Sequence, residues 1–115
     1  MTGDFTAVNA VQRNRIARMD TNGVLDSSFD PGTGADKFVS SVGLYPITGG
    51  TNDGKVFIGG GFNSFNGVSR NFFARLNTNG TLDLTFNPGT GANGPVRAVA
   101  VYTNSSFSGK AIIVG

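Results

Sequence analysis

Residues 70–92 read RNFFARLNTNGTLDLTFNPGTGA, and residues 13–35 read RNRIARMDTNGVLDSSFDPGTGA. The two stretches align without a gap at an offset of 57, and the match extends over residues 5–45 against 62–102. A repeat this long, and this rich in turn residues, is one supersecondary unit used in tandem. Past Tyr102 the alignment slips: Gly54-Lys55 matches Gly109-Lys110 at an offset of 55. Two residues are therefore missing between Tyr102 and Gly109, which places a surface loop there, because loops absorb length changes that strands cannot. The 115 residues divide into units 1–58 and 59–115, and two neighbouring modules describe them better than one integrated core.

Composition points to an all-β chain. There is no Glu, and 18 Gly sit among many Asn, Thr and Ser, residues that favour turns and strands over helix. One unit offers four strands. Residues 96–102 (matching 39–45) are rich in β-formers; residues 110–114 match 55–58, an apolar run that should be buried on both faces and that ends in Gly59-Gly60-Gly61. The third and fourth candidates are residues 71–77 and 81–86. Between these last two lies Asn79-Gly80, with Asn22-Gly23 in the first unit, and Asn-Gly is the strongest short signal for a two-residue type I′ hairpin. Such a turn sets Thr78 opposite Thr81 and Leu76 opposite Asp83, with Leu82, Leu84 and Phe86 sharing one face and Asp83 and Thr85 the other. Residues 31–35 and 88–92, both PGTGA, break the pattern and lead to the next unit.

Four antiparallel strands in about 55 residues, graded from a buried strand to a half-polar outer one and used in tandem, describe a β-propeller blade. The string GGGFNSFNGVSRNFFARLNTNGTLDLTFNPGTGANGPVRAVAV (residues 59–101), followed by GKAIIVG, resembles the delta-60 repeat, a β-propeller-type repeat. The resemblance covers nearly the whole chain in two copies and rests on the G-x-F, ARL, NG-x-LD-x-x-F and GTGA elements. The first copy departs from it mildly, with residues 9–11 as Asn-Ala-Val for Asn-Gly-Val and residues 17–19 as Ala-Arg-Met for Ala-Arg-Leu. The resemblance implies propeller-like blades in a bacterial surface or secreted protein, and it brings no catalytic residues. Both ends of the chain fall at the same strand type, since Gly3 and Gly115 both match Gly60. Two blades do not close a ring of the usual four to eight. The expectation is a homo-oligomer, or adjacent repeats of a longer chain, in which the end of one copy adjoins the start of the next and covers apolar faces built from Val56, Ile58, Val99, Val101, Ile112 and Val114.

Several function classes are excluded or weakened by composition. There is no Cys and no His, so disulfides, thiolate metal sites and the usual general base are absent. Nine Lys and Arg against seven Asp leave a net charge of +2, and the arginines are spread without forming the basic stripe that nucleic-acid binding requires. No apolar run approaches a membrane span, and residues 1–5 do not resemble a secretory signal. No metal or redox cofactor is expected.

Three features carry chemistry. Asp20, Asn22, Gly23 and Asp26 resemble a short calcium loop, but Asn77 replaces Asp20 in the second unit, and a hairpin accounts for the same residues. The polar segments 9–14, 66–71 and 48–53, near Phe65 and Tyr102, offer a shallow carbohydrate or peptide site, or ordinary loop chemistry. Arg18 and Arg75 occupy equivalent positions; they suit an anion, or more often a neighbouring blade's backbone or an acid such as Asp26 or Asp83. No nucleophile and base pair is visible, so an enzyme is disfavoured. A structural or scaffolding module is the leading expectation, and a glycan- or protein-binding adhesion module is the alternative.

Overall fold

The structure, a computed structural model, describes residues 1–47, 49–102 and 111–115; the expected loop at 103–109 and Thr48 lie outside them. Nine strands follow one another among the described residues: β1 (Ala7–Val8), β2 (Val11–Gln12), β3 (Val39–Leu44), β4 (Val56–Gly60), β5 (Ser64–Phe65), β6 (Val68–Ser69), β7 (Phe73–Leu76), β8 (Ala98–Val101) and β9 (Ala111–Val114). All pairings are antiparallel, with a central sheet ordered β3-β4-β7 and hairpins β1-β2, β5-β6 and β8-β9. There is no helix among the described residues. The radius of gyration is 13.5 Å, close to the ~13 Å of a compact chain of this length, so the units pack against one another and do not hang as separate beads.

The repeat is visible as register. Leu44↔Val56, Gly43↔Phe57, Val42↔Ile58 and Ser41↔Gly59 in β3–β4 return as Val101↔Ala111, Ala100↔Ile112, Val99↔Ile113 and Ala98↔Val114 in β8–β9. One strand is displaced by 57 residues and the other by 55, so the two-residue slip falls between the strands and leaves their pairing unchanged. At the other end, Thr2 bridges Ile16, the counterpart of Gly59 opposite Phe73. The chain therefore holds the later strands of one blade (residues 1–29), a second blade (39–82) and the earlier strands of a third (96–114).

β4 is buried at every position because it has a strand on each edge and a neighbouring blade on each face. Ile58 is fully buried, and it shares a core with Ile16, Phe29, Val39, Val56, Phe62, Phe65 and Leu76 from the first two blades. On the opposite side β8 lies close, so that a side chain at Gly43 would meet Val99 and Val101 and one at Gly59 would meet Val96. The expectation that Val56 and Ile58 need a second copy or a further repeat to cover them is corrected by this sandwiching. The exposed part of the apolar set is on β9, where Ile112 is 45 % and Val114 52 % accessible.

The hairpin between the third and fourth strand positions is also corrected. Asn77 N–H donates to Thr81 O (2.8 Å) and Gly80 N–H to Asn77 O (3.0 Å), and Leu76 bridges Leu82. The loop is thus three residues, 78–80, a type I turn closed by a left-handed glycine (Gly80 φ +90°, Gly23 φ +80°). A side-chain acceptor decides this: Asn79 Oδ1 takes both the N–H and the hydroxyl of Thr81, and Asp20 Oδ1 takes the N–H groups of Asn22 and Val24. Leu82 keeps its place in the core at 8 % exposure, while the faces of the next two residues are reversed. Asp83 points inward at 2 % exposure and Leu84 outward at 69 %. The expected fourth strand at 81–86 shrinks to the Leu82 bridge, because Asp83 Oδ1 captures the N–H and hydroxyl of Thr85 and folds the chain into a turn. The blade is accordingly a three-stranded sheet with a one-residue fourth rung, and not a full four-stranded sheet.

Type I′ turns do occur, but at Asn9-Ala10 and Asn66-Gly67. Both central residues have positive φ (49° and 64°; 49° and 75°), closing Val8↔Val11 and Phe65↔Val68. Segments 9–14 and 66–71 are therefore parts of hairpins. Ala10 carries a Cβ in the left-handed region where the second unit has glycine. Ala10→Gly is expected to stabilise the protein by about 0.5–1 kcal/mol, relief of the Cβ clash exceeding the added freedom of the unfolded chain; the urea midpoint measures it.

Candidate functional site

The strongest concentration of charge is a buried triad in the second blade. The Asp83 side chain is 3 % exposed, and its Oδ2 accepts from Arg75 Nε (2.7 Å) and Lys55 Nζ (2.9 Å). The register of β7 with the Leu82 bridge brings Asp83 beside Arg75, and β4's start places Lys55. Burial alone would raise the Asp83 carboxyl; the hydrogen bonds from Thr85, Lys55 and Arg75 outweigh it and hold the group far below the ordinary value of 3.8. In the first blade the equivalent pair is Arg18 Nε to Asp26 Oδ2 at 2.7 Å, more open to solvent. Hydrogen bonds from Ser28 and Arg18 bring the Asp26 carboxyl down to about 2.

Both arginines also lie over aromatic rings. Arg18 sits 5.0 Å from the Phe29 centroid, while Arg75 sits 4.9 Å from Phe86 and 5.7 Å from Tyr45. Tyr45, Phe57, Phe73 and Phe86 form a connected aromatic group, with Phe57 and Phe86 edge to face at 5.0 Å. With Arg75, Ala111 and Ile113 they line a cleft of ≈ 480 Å³ between the second and third blades. A matching cleft of ≈ 420 Å³ lies between the first two blades, lined by Ile16, Arg18, Met19, Phe29, Leu44 and Val56 among others. These clefts are apolar seams between blades. The cation at each wall is already paired with an acid.

The residues singled out in the sequence are mostly engaged within the fold. Asp20 caps its own turn and Asp26 is held by Arg18 and Ser28. Among the described residues no three acidic side chains gather as metal ligands. Arg18 also donates to the Thr78 carbonyl of the next unit at 2.9 Å. Phe65 is fully buried, which corrects its reading as an aromatic available beside the polar loops. Asn66 Oδ1 accepts from Gly34 N–H and Thr33 Oγ1, and Asp53 Oδ2 accepts from Gly49 and Gly50 N–H. Tyr102 is half-buried.

Two contributors escaped the sequence reading. Lys55 lies 28 residues from Asp83, a separation without any pattern. Asp36 Oδ1 accepts from the N–H groups of Asn63 and Ser64, tying the linker to β5; these contacts hold its carboxyl below 3.8 against the opposing effect of burial. The second unit has Asn93 at the matching position, so repetition did not mark it.

Residues 2–29 and 51–86, more than half of the chain, match the model of a β-propeller family described as a domain of unknown function, DUF5122. The chain belongs to the DUF5122 β-propeller family. The two matched segments of this DUF5122 chain hold the paired arginine and acid of each blade, Arg18 with Asp26 and Arg75 with Asp83. Comparison with curated proteins and with solved structures yields no match. No helix among the described residues is long and apolar enough to cross a membrane.

Acid should weaken the fold. Asp26, Asp36 and Asp83 have depressed folded-state pKa values, so each contributes stability above its unfolded value, near 3.8, and that contribution is lost as pH falls through the folded value. With no His or Glu, the melting temperature is expected to hold steady from about pH 7 to 5 and to drop below about pH 4. A decline already under way at pH 6 would contradict this assignment.

Proposed function

We propose that this chain is a non-enzymatic scaffolding module, a pair of delta-60-type propeller units in a bacterial surface or secreted protein. The observation that supports it best is where its polar side chains and loop amides go. Arg18 to Thr78 O, Asp30 N–H to Asn79 O (2.8 Å), Thr33 and Gly34 to Asn66, and Asp36 to Asn63 and Ser64 all join the first unit to the second. Residues that would serve a ligand or a reaction act as fasteners between blades. The triad at Asp83 is a closed ion cluster: its carboxylate is taken up by Arg75, Lys55 and the Thr85 hydroxyl.

Brief protease treatment of intact cells of the native host tests this reading. The scaffold should be removed from the surface, or found in the medium, while cytoplasmic markers remain; full protection inside the cell would contradict it. A glycan array run on the purified chain addresses the adhesion alternative: no binding is expected, and micromolar binding lost on altering residues 9–14 or 66–71 would favour adhesion instead.

A further inference from the structure

We propose that a second copy of this chain docks on the β9 edge and continues the blade series head to tail, so that residues 111–115 of one copy take the place that residues 1–3 hold in the next. The inference rests on the scaffolding reading and names its partner. Its template is inside the molecule. β4 pairs β7 through Val56↔Leu76, Phe57↔Arg75, Ile58↔Ala74 and Gly59↔Phe73. β9 has the register of β4 against its own hairpin partner, but among the described residues no strand pairs its outer edge. The counterpart of β7 in the first blade is residues 16–19, Ile-Ala-Arg-Met. On one edge of this segment Leu25 bridges Met19; on the other Met1 and Thr2 cover Ala17 and Ile16, and among the described residues no strand pairs Arg18 and Met19 on that side. The template then sets Val114 opposite Ile16, Ile113 opposite Ala17, Ile112 opposite Arg18 and Ala111 opposite Met19 of the second copy.

The joint between the two units supplies the second line of argument. Its donors, Arg18, the Asp30 N–H, Thr33 and the Gly34 N–H, recur one repeat later as Arg75, the Asn87 N–H, Thr90 and the Gly91 N–H. Its acceptors, Thr78 O, Asn79 O and Asn66 Oδ1, recur one repeat earlier as Thr21 O, Asn22 O and Asn9 Oδ1. The 115 residues hold no third unit that joins these two sets. A second copy in register brings Arg75 to Thr21 and Gly91 to Asn9, repeating a joint the protein already makes. The exposed Ile112 and Val114 become covered as their counterparts Phe57 and Gly59 are on β4. The contact is heterologous, so it repeats until it closes; each copy adds two units, and a ring of about four to eight blades holds two to four copies.

Cross-linking tests the register, since the chain has no cysteine of its own. Met19→Cys and Ala111→Cys proteins are mixed under mild oxidation and compared with Met19→Cys mixed with Val114→Cys. Opposed residues in antiparallel strands lie about 4.5–5.5 Å apart, within disulfide reach, whereas a three-residue offset adds about 10 Å. The first mixture is expected to cross-link at least about tenfold faster than the second, and light scattering should show a discrete mass of two to four copies that becomes more populated when residues 1–3 are deleted. Asn9→Gly, which suits the positive φ of that turn and removes the Oδ1 acceptor, should weaken association without lowering the melting temperature of the dilute chain, a readout a merely structural role would not separate. Equal or absent cross-linking, or a folded monomer that stays monomeric at tens of micromolar after the deletion, would overturn the pairing. That result would leave the scaffolding reading to its own test at the cell surface.

Discussion

Gly60→Ala should be the most damaging single methyl in this protein. A Cβ at Gly60 would fall on the carbonyl oxygen of Phe38 and 2.9 Å from the Cα of Val39. Both obstacles are backbone, so no rotamer change relieves them. The same residue donates its N–H to Phe72 O and accepts from Val96 N–H, which means a shift of the chain here breaks the link from the second blade to the third. A loss of about 3 kcal/mol or more is expected, at or beyond the upper end of ordinary overpacking. Gly94→Ala is the control: nothing lies within 4 Å of its Cβ position, and it should leave the urea midpoint nearly unchanged. Equal stability of the two variants would show that β3 and β4 do not approach as described.

Asp83→Asn is the second large effect. The substitution keeps the shape and the acceptor that holds Thr85, but leaves Arg75 and Lys55, whose side chains are 11 % and 18 % exposed, without their counter-charge. Breaking a buried pair by removing one partner typically loses 3–5 kcal/mol, so about 3 kcal/mol is expected here. The same change at Asp26 removes a pair that is largely solvated, with Arg18 42 % and Asp26 30 % exposed, and surface pairs contribute little. The Asp26→Asn variant should therefore melt close to the parent, and the contrast between identical substitutions at equivalent positions checks that burial, and not the pair itself, sets the magnitude. If both variants lost the same stability, the buried triad would not have the role given to it.

Repetition made the architecture legible, and local chemistry hid the details. The 57-residue offset and its two-residue slip predicted which strands correspond, and the β3–β4 and β8–β9 registers repeat at those displacements. The apolar run at 56–58 was rightly read as buried on both faces. The hairpin at Asn79-Gly80 was misread because the same dipeptide serves two turn types. What separates them is whether a side chain caps the turn, and the Asn79 carbonyl bonding Thr81 is a contact no spacing rule weighs. The wrong face for Asp83 followed from that one-residue error, whereas the fourth strand is lost to the turn that Asp83 Oδ1 closes on Thr85. The true type I′ turns at Asn9-Ala10 and Asn66-Gly67 were overlooked because strands of two residues carry no periodicity. In the candidate site, Arg18 and Arg75 were found because repetition marks them, whereas Lys55 and Asp36 act through long-range contacts that appear only once the blades are stacked.

Native-state hydrogen exchange tests most directly the claim that the units form one scaffold through their joints. The Asp30 amide bonds to Asn79 O across the joint of the first two blades, the Val96 amide bonds to Gly60 O across the next, and Ile58 lies at the centre of β4. If the blades stand as a unit, the amides of Asp30 and Val96 should be protected to within about tenfold of Ile58, because all three open in the same cooperative event. Exchange at the two joint amides about a thousandfold faster than at Ile58 would mean that each blade folds alone and the joints are loose, and the account of this chain as a stacked scaffold would be contradicted.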